Sequence, residues 1–404
     1  MQQKLTFKLE RGLFADASEV TVADLTIHDT LATGGTACTQ RRKKPCRLAS
    51  VIKLFGTGQI KMSERRESPF GRTLIGAVCL LSLACGVIAA TSQAHASPTA
   101  IPAAIAMPDL VTEPTVNLGN TSYYDGFGKF DGGWVIIDYA RWQHLTSISD
   151  SKGNAVTAFR NPDIEALSNV IQPVWVSSWH PFGGGVGVTA LLPLVDLSSS
   201  FTQPGANLRA NGFALGDLTW GPFYQARPTT LFGHVFSYRL EFDILSPIGG
   251  FNRTKDIDQS SRFWSINPYI AMTYLPASGV ELSSRIYYLY NFPTSTFPNP
   301  PALPRLASTT GRAGQAVWAN YDASCTFSKL FSLGINGYYF QQITNDQINR
   351  TDLPHSIKNQ LYLGPGFHWN LTPNNIINAN LYLPVTTHGV ANGPQLSFQF
   401  IHPF

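Results

Sequence analysis

Between residues 133 and 404 the chain repeats one pattern: stretches of ten to fifteen residues whose side chains alternate apolar and polar, joined by connections that are short and long by turns. In HVFSYRLEFDIL at 234–245, period-two projection puts Phe236, Tyr238, Leu240, Phe242 and Ile244 on one face and Ser237, Arg239, Glu241 and Asp243 on the other. VELSSRIYYLYN at 280–291 divides in the same way, with Leu282, Ile286, Tyr288 and Tyr290 opposing Glu281, Ser283 and Arg285. One such strand suits a soluble antiparallel sheet, dry inside and wet outside. The series is more restrictive than any member of it.

The expected strands are 133–147, 170–181, 184–195, 215–226, 233–246, 263–275, 279–291, 313–327, 330–343, 359–371, 375–385 and 394–404. Tight links at 181–183, 276–278, 328–329 and 372–374 alternate with long ones at 148–169, 196–214, 247–262, 292–312 and 344–358. An even number of strands with loops sorted by length predicts a transmembrane antiparallel β-barrel, with short periplasmic turns and long external loops. A closed barrel leaves no unpaired backbone edge, the condition for residing in lipid. On this reading the apolar face of 234–245 meets lipid and its ionic face lines the lumen. Trp134, Trp179, Trp264, Trp369, Tyr274 and Tyr290, near expected strand ends, suit an interfacial girdle. The last strand carries Leu396, Phe398 and Phe400 at alternate positions and stops at Phe404, a terminal aromatic of the kind the barrel-assembly machinery recognises.

Composition agrees with an all-β chain of unusual exterior. Charged residues are 13% of the total and aromatic ones 12%, with 34 Gly and 27 Pro, whereas soluble domains carry about 25% charged residues. The basic excess is confined to the leader: residues 1–96 hold 13 Lys and Arg against 7 Asp and Glu, leaving 16 against 18 for the remainder. The mature part therefore offers no nucleic-acid footprint. Met62 opens MSERRESPFGR, followed by the apolar run LIGAVCLLSLACGVIAA and the small residues Ala94 and Ala96, a secretory signal peptide at 62–96 cleaved near Ala96. Residues 1–61 are expected either as sequence upstream of the true start or as a disordered leader. Four of the five cysteines precede the cleavage site, so Cys325 alone can form neither an internal disulfide nor a cysteine metal site.

The stretches NLGNTSYYDGFG (117–128), LGDLTWGPF (215–223), FWSINPYIAMTYLP (263–276), AGQAVWANYDA (313–323), GINGYYFQQITND (334–346) and LGPGF (363–367) resemble the outer-membrane family associated with the meta-cleavage pathway of phenol degradation. The resemblance runs over essentially all of 110–404. It implies an outer-membrane barrel that passes aromatic or otherwise hydrophobic solutes, and it brings no catalytic residues.

Twelve strands give a lumen of intermediate width, so residues 97–132 are expected either as an inward-folded plug or as a periplasmic tail. Tyr123, Tyr124, Phe127 and Phe130 favour the packed alternative. The expected lumen residues are Arg239, Glu241, Asp243, Glu281, Arg285, Asp138, Asn320 and Asp322, with Tyr287, Tyr338, Tyr362 and Tyr382 as a stacking surface for solute. Arg239 with Glu241 and Asp243, and Arg285 with Glu281, are expected to pair, either holding the interior together or selecting solutes. No nucleophile elbow, metalloprotease motif or phosphate loop occurs, and the histidines are scattered singly, so neither enzyme chemistry nor cofactor nor metal is expected. Asp125 with Asp131, and Asp256 with Asp258, read as turn residues rather than ion ligands. The partners expected are membrane lipid, the assembly machinery and small apolar solutes. An outer-membrane lipid hydrolase and a soluble β-sandwich are the alternatives.

Overall fold

A sheet of such alternating strands leaves no unpaired edge when it curls until its first and last strands meet. The computed structural model describes residues 116–120, 123–296 and 310–404, and in it the strands β1 (Gly133–Leu145), β2 (Asp163–Val176), β3 (Gly185–Ser200), β4 (Gly212–Leu215 and Leu218–Gln225), β5 (His234–Ser246), β6 (Ser265–Ala277), β7 (Val280–Asn291), β8 (Ala316–Ser328), β9 (Phe331–Gln342), β10 (Asn359–Thr372), β11 (Asn375–His388) and β12 (Gln395–Pro403) each pair antiparallel with the next. β1 closes on β12 from Val135 opposite Pro403 to Gln143 opposite Gln395. The product is a closed twelve-stranded barrel. The expected leader segments 1–61 and 62–96 lie outside the described residues.

Turns at 177–184, 226–233, 278–279, 329–330 and 373–374 sit at one end, together with the start of β1 and the end of β12. The longer loops sit at the other. Some of these loops carry small ladders of their own, Ser147–Ile148 with Ala391–Asn392, and Gly311–Arg312 with Gln347–Ile348 and Thr351–Asp352. Strand bounds fall within a few residues of expectation except at β2, expected at 170–181 and found at 163–176. Asp163 and Glu165 read as loop residues, yet they stand exposed on the outer side of the strand's long-loop end, where a strand is wet on that face.

The barrel inverts the soluble rule. Leu240, Phe242, Ile286, Leu333, Ile335, Leu383 and Phe398 are exposed outward, while Ser237, Glu241, Asp243, Thr273, Glu281, Asn320 and Asp322 are buried inward. Exposed tryptophans form two belts: Trp134, Trp175, Trp179 and Trp369 towards the short-turn end, and Trp142, Trp220 and Trp264 towards the other. Amphipathic rings of this kind settle at the two membrane interfaces. Cys325 is free and exposed on the outward side of β8.

β4 is interrupted at Gly216 and Asp217 so that the Asp217 carboxylate can anchor the loop 247–264. It accepts the Gly249 N–H at 3.0 Å, the Ser261 N–H at 2.9 Å and the Ser261 hydroxyl at 3.1 Å. Asp256 accepts the backbone and side chain of Arg209 at 2.8 and 3.0 Å, which pins the same loop to its neighbour. Asp258 is buried beside them; one oxygen accepts the Asn252 N–H at 2.9 Å and the other meets no donor. Both acids thus serve loop geometry, as their sequence setting suggested. Burial pushes the Asp258 carboxyl up to about 6.

A folded-state pKa above that of the unfolded chain favours the fold at pH below both values and penalises it as pH rises through the folded value. Asp258 therefore destabilises this loop at neutral pH. Asp258→Asn, which keeps the acceptor for Asn252, should stabilise the loop by about 1–3 kcal/mol at pH 7 and leave it unchanged near pH 3.5. Hydrogen exchange over 247–264 at the two pH values checks this, and equal protection at both would show that the carboxyl is not strained.

Candidate functional site: the barrel lumen

The inward positions of adjacent strands stack into rows across the wall. One row runs Gln225, Arg239, Ala271, Arg285, Asn320, Tyr338 and Tyr362 from β4 to β10. On its long-loop side runs Glu241, Tyr269, Tyr287, Trp318 and Phe340; on its short-turn side runs Ser237, Thr273, Ser283, Asp322 and Asn336. The wall is thus banded: aromatic above, ionic at mid-height, hydroxyl and acid below.

In the aromatic band Tyr287 stacks on Trp318 with centroids 4.5 Å apart, and Tyr269 lies 4.8 Å from Tyr287. Tyr338 stacks on Tyr362 at 4.9 Å, with Tyr382 set edge-on to it at 5.6 Å. All four expected tyrosines are inward and buried. Trp318, central to the band, was not expected; its even position on β8 beside the inward Asn320 and Asp322 was the available signal.

In the ionic band Arg239 Nε donates to Glu241 at 2.6 Å and its guanidinium lies 3.6 Å over the Phe223 ring. The expected pairing of Arg239 with Glu241 is present, and Asp243 lies against the same pair. Arg285 does not pair with Glu281. Four residues along one strand span about 13 Å, beyond the reach of the pair, and Arg285 Nη2 donates instead to Asp125 at 3.1 Å. Its guanidinium also covers Tyr269 at 4.8 Å.

Asp125 belongs to the segment preceding the barrel. Its described part, residues 116–130 apart from 121 and 122, lies inside the lumen. Trp318 Nε1 and Asn320 Nδ2 donate to the Asn117 carbonyl at 3.3 and 3.0 Å, and the Gly119 N–H donates to Asn320 at 3.0 Å. Tyr382 donates to the Gly119 carbonyl at 2.6 Å. Asn336 donates to the Tyr123 hydroxyl at 3.1 Å, and the Tyr124 N–H to Glu281 at 2.5 Å. The Gly126 N–H donates to Thr273 at 2.9 Å, while Gln225 and Ser237 both donate to its carbonyl at 2.8 Å. A side chain at Gly126 would begin 2.3 Å from the Thr273 backbone nitrogen, so only glycine permits this approach. Tyr123 is buried, and Tyr124, Phe127 and Phe130 are half-buried. The sequence pointed to these aromatics; most of the polar grip comes from backbone groups and Asp125.

Asp138 is a correction. It lies on the outward face of β1, flanked by Phe400 and Ile171, with its carboxylate accepting from Asn169 on the outward face of β2. WVIIDYARW carries mostly apolar residues and one charge on each face, Asp138 on one and Arg141 on the other, so its period could not assign a side. The fold also gathers His144, Asp163 and Glu165, whose ligand atoms lie within 4.8 Å of one another on the outside of β1 and β2, remote from the lumen.

The sequence matches the family described as "Putative MetA-pathway of phenol degradation" over residues 146–400, and the chain belongs to it. In fold it is similar to an outer-membrane channel from Pseudomonas putida F1, with 14% identity, 70% of this chain and 98% of that chain covered, and a TM-score of 0.58. The translocator domain of autotransporter NalP from Neisseria meningitidis (12% identity, 69% and 90% covered, TM-score 0.37) and the CymD monoaromatic hydrocarbon channel (8%, 68% and 89%, 0.33) are more distant, too far to bear on function. No curated protein matches the sequence.

Proposed function

We propose that the protein is an outer-membrane channel for passive uptake of small aromatic or otherwise hydrophobic solutes, exported by the signal peptide at 62–96 and inserted by the barrel-assembly machinery through its Phe404 terminus. The observation that carries the reading is the continuous inward aromatic band, Tyr269, Tyr287, Trp318 and Phe340 with Tyr338, Tyr362 and Tyr382, set directly against two arginines. Flat rings bind flat solutes by offset and edge-on contact, and Arg239 and Arg285 favour those that carry a phenolate or carboxylate. Membership of a family named for phenol degradation supports the same solute class.

An apolar hollow lined by Val116, Leu118, Leu289, Ala316, Phe340 and Val390 lies at the long-loop end of the band and offers a first station for a solute arriving from outside. The described part of the segment 97–132 acts as a plug in this reading, with Leu118 and Gly119 covering the tyrosines until it shifts.

Liposomes holding the purified protein should admit benzoate-like acids several-fold faster than sugars of equal size. Equal rates would remove the aromatic selectivity, and no flux above empty liposomes, in protein shown to be folded, would remove the channel. Lipid hydrolysis lost on changing one serine or histidine would establish the enzyme alternative instead.

A further inference from the structure

Among the described residues three arginines face the lumen, and each is engaged: Arg239 with Glu241, Arg285 with Asp125, and Arg141 with Gln395. Of the other buried lumen carboxylates, Glu281 and Asp322 have no ion-pair partner among the described residues, and they stand next to each other on the adjacent strands β7 and β8. Glu281 is held by donors and keeps acceptor capacity on its second oxygen: one oxygen accepts the Tyr124 N–H and the Ser283 hydroxyl, both at 2.5 Å, and the other accepts only the Ser324 hydroxyl at 2.6 Å. Neither oxygen of Asp322 meets any donor. Asn336 stands directly across from Asp322 on β9 and is completely buried; its amide nitrogen is spent on Tyr123 and its Oδ1 is unpartnered. A side chain at Gly334, also facing Asp322, would begin 3.1 Å from Asp322 Oδ1, so glycine keeps the space before that carboxylate open.

Two ionised carboxylates in contact repel, and burying them without a cation is strongly unfavourable. A shared proton would relieve the contact but serve one oxygen of Asp322, leaving its second oxygen and Asn336 Oδ1 without partners. A cation serves all three and balances both charges. We propose that Glu281, Asp322 and Asn336 form a cation site on the lumen wall. The oxygen donors suit a hard divalent ion of the Ca²⁺ class, which takes six to eight such ligands and completes its shell with water. Through Tyr123 and Tyr124 the site adjoins the segment that crosses the lumen.

The test uses the full protein in detergent, stripped with a chelator and titrated with Ca²⁺ alone, then with Tb³⁺, whose emission Tyr123 and Tyr124 would sensitise. Saturable binding of about one ion per chain is expected, weakened about tenfold or more by Asp322→Asn and by Glu281→Gln. Asp243→Asn, which alters a different buried acid, should leave it unchanged. Heat-modifiable gel mobility confirms that each variant is folded. Absence of saturable binding, or binding indifferent to Asp322→Asn in folded protein, overturns the site. An infrared band of a protonated carboxyl, lost in Asp322→Asn and unaccompanied by ion uptake, would assign the contact to a shared proton.

Discussion

Removing residues 97–132 should raise the single-channel conductance by about tenfold, because the described part of that segment crosses a lumen of only intermediate width. Its contacts engage three adjacent inward rows of the wall, Asn117 against Trp318 and Asn320, Asp125 against Arg285, and Gly126 against β5 and β6. The barrel needs none of these bonds to close, since all twelve strand pairings are made between strands. Water can replace the segment at Arg285, Asn320 and Glu281, so the shortened protein should still insert and keep its heat-dependent gel shift. The preference for aromatic acids over sugars should fall with the same deletion. A gentler variant separates plug from tail: Gly126→Val lacks room beside Thr273 and should raise conductance without shortening the chain. Unchanged conductance in both, in folded protein, would mean that another element narrows the channel.

What the sequence revealed and what it withheld follow from range. Strand facing at β5 and β7 was legible because alternation is a local property and lipid disfavours charge on the outer face, so Arg239, Glu241, Asp243, Glu281 and Arg285 fell on the inward side. The inward tyrosines followed from the same parity. Loop sorting was legible because the two ends of a barrel meet different compartments. Asp138 failed because β1 carries one charge on each face, Asp138 and Arg141, among apolar residues, and parity without contrast assigns nothing. Pairing failed at Arg285 because its partner lies 160 residues away in the chain, and no local pattern announces that Asp125 turns towards it. Trp318 was hidden for a related reason: among alternating residues an inward tryptophan and an outward girdle tryptophan look alike until the register is known.

Leu240→Arg should abolish or sharply reduce insertion, and it tests that facing at the centre of the wall. Leu240 is the seventh of thirteen residues in β5, exposed outward, and flanked by Tyr224 on β4 and Ile270 on β6. No acid lies beside it in the register to receive the guanidinium, and a position half-way along the strand is too deep for the side chain to reach either interface with ease. An arginine at such a height costs about 2–4 kcal/mol, enough to lower the yield of folded protein in vesicles and to shift its denaturant midpoint. The comparison must respect the pair behind it. Arg239→Ala alone would leave Glu241 buried without its guanidinium, so the informative lumen variant is Arg239→Met with Glu241→Gln, which removes both charges and is close to neutral for a buried pair. The outward single change should impair assembly and the inward double change should not. If the double variant is the more damaging, the ion pair itself holds the barrel together and the outer face of β5 is not set against lipid.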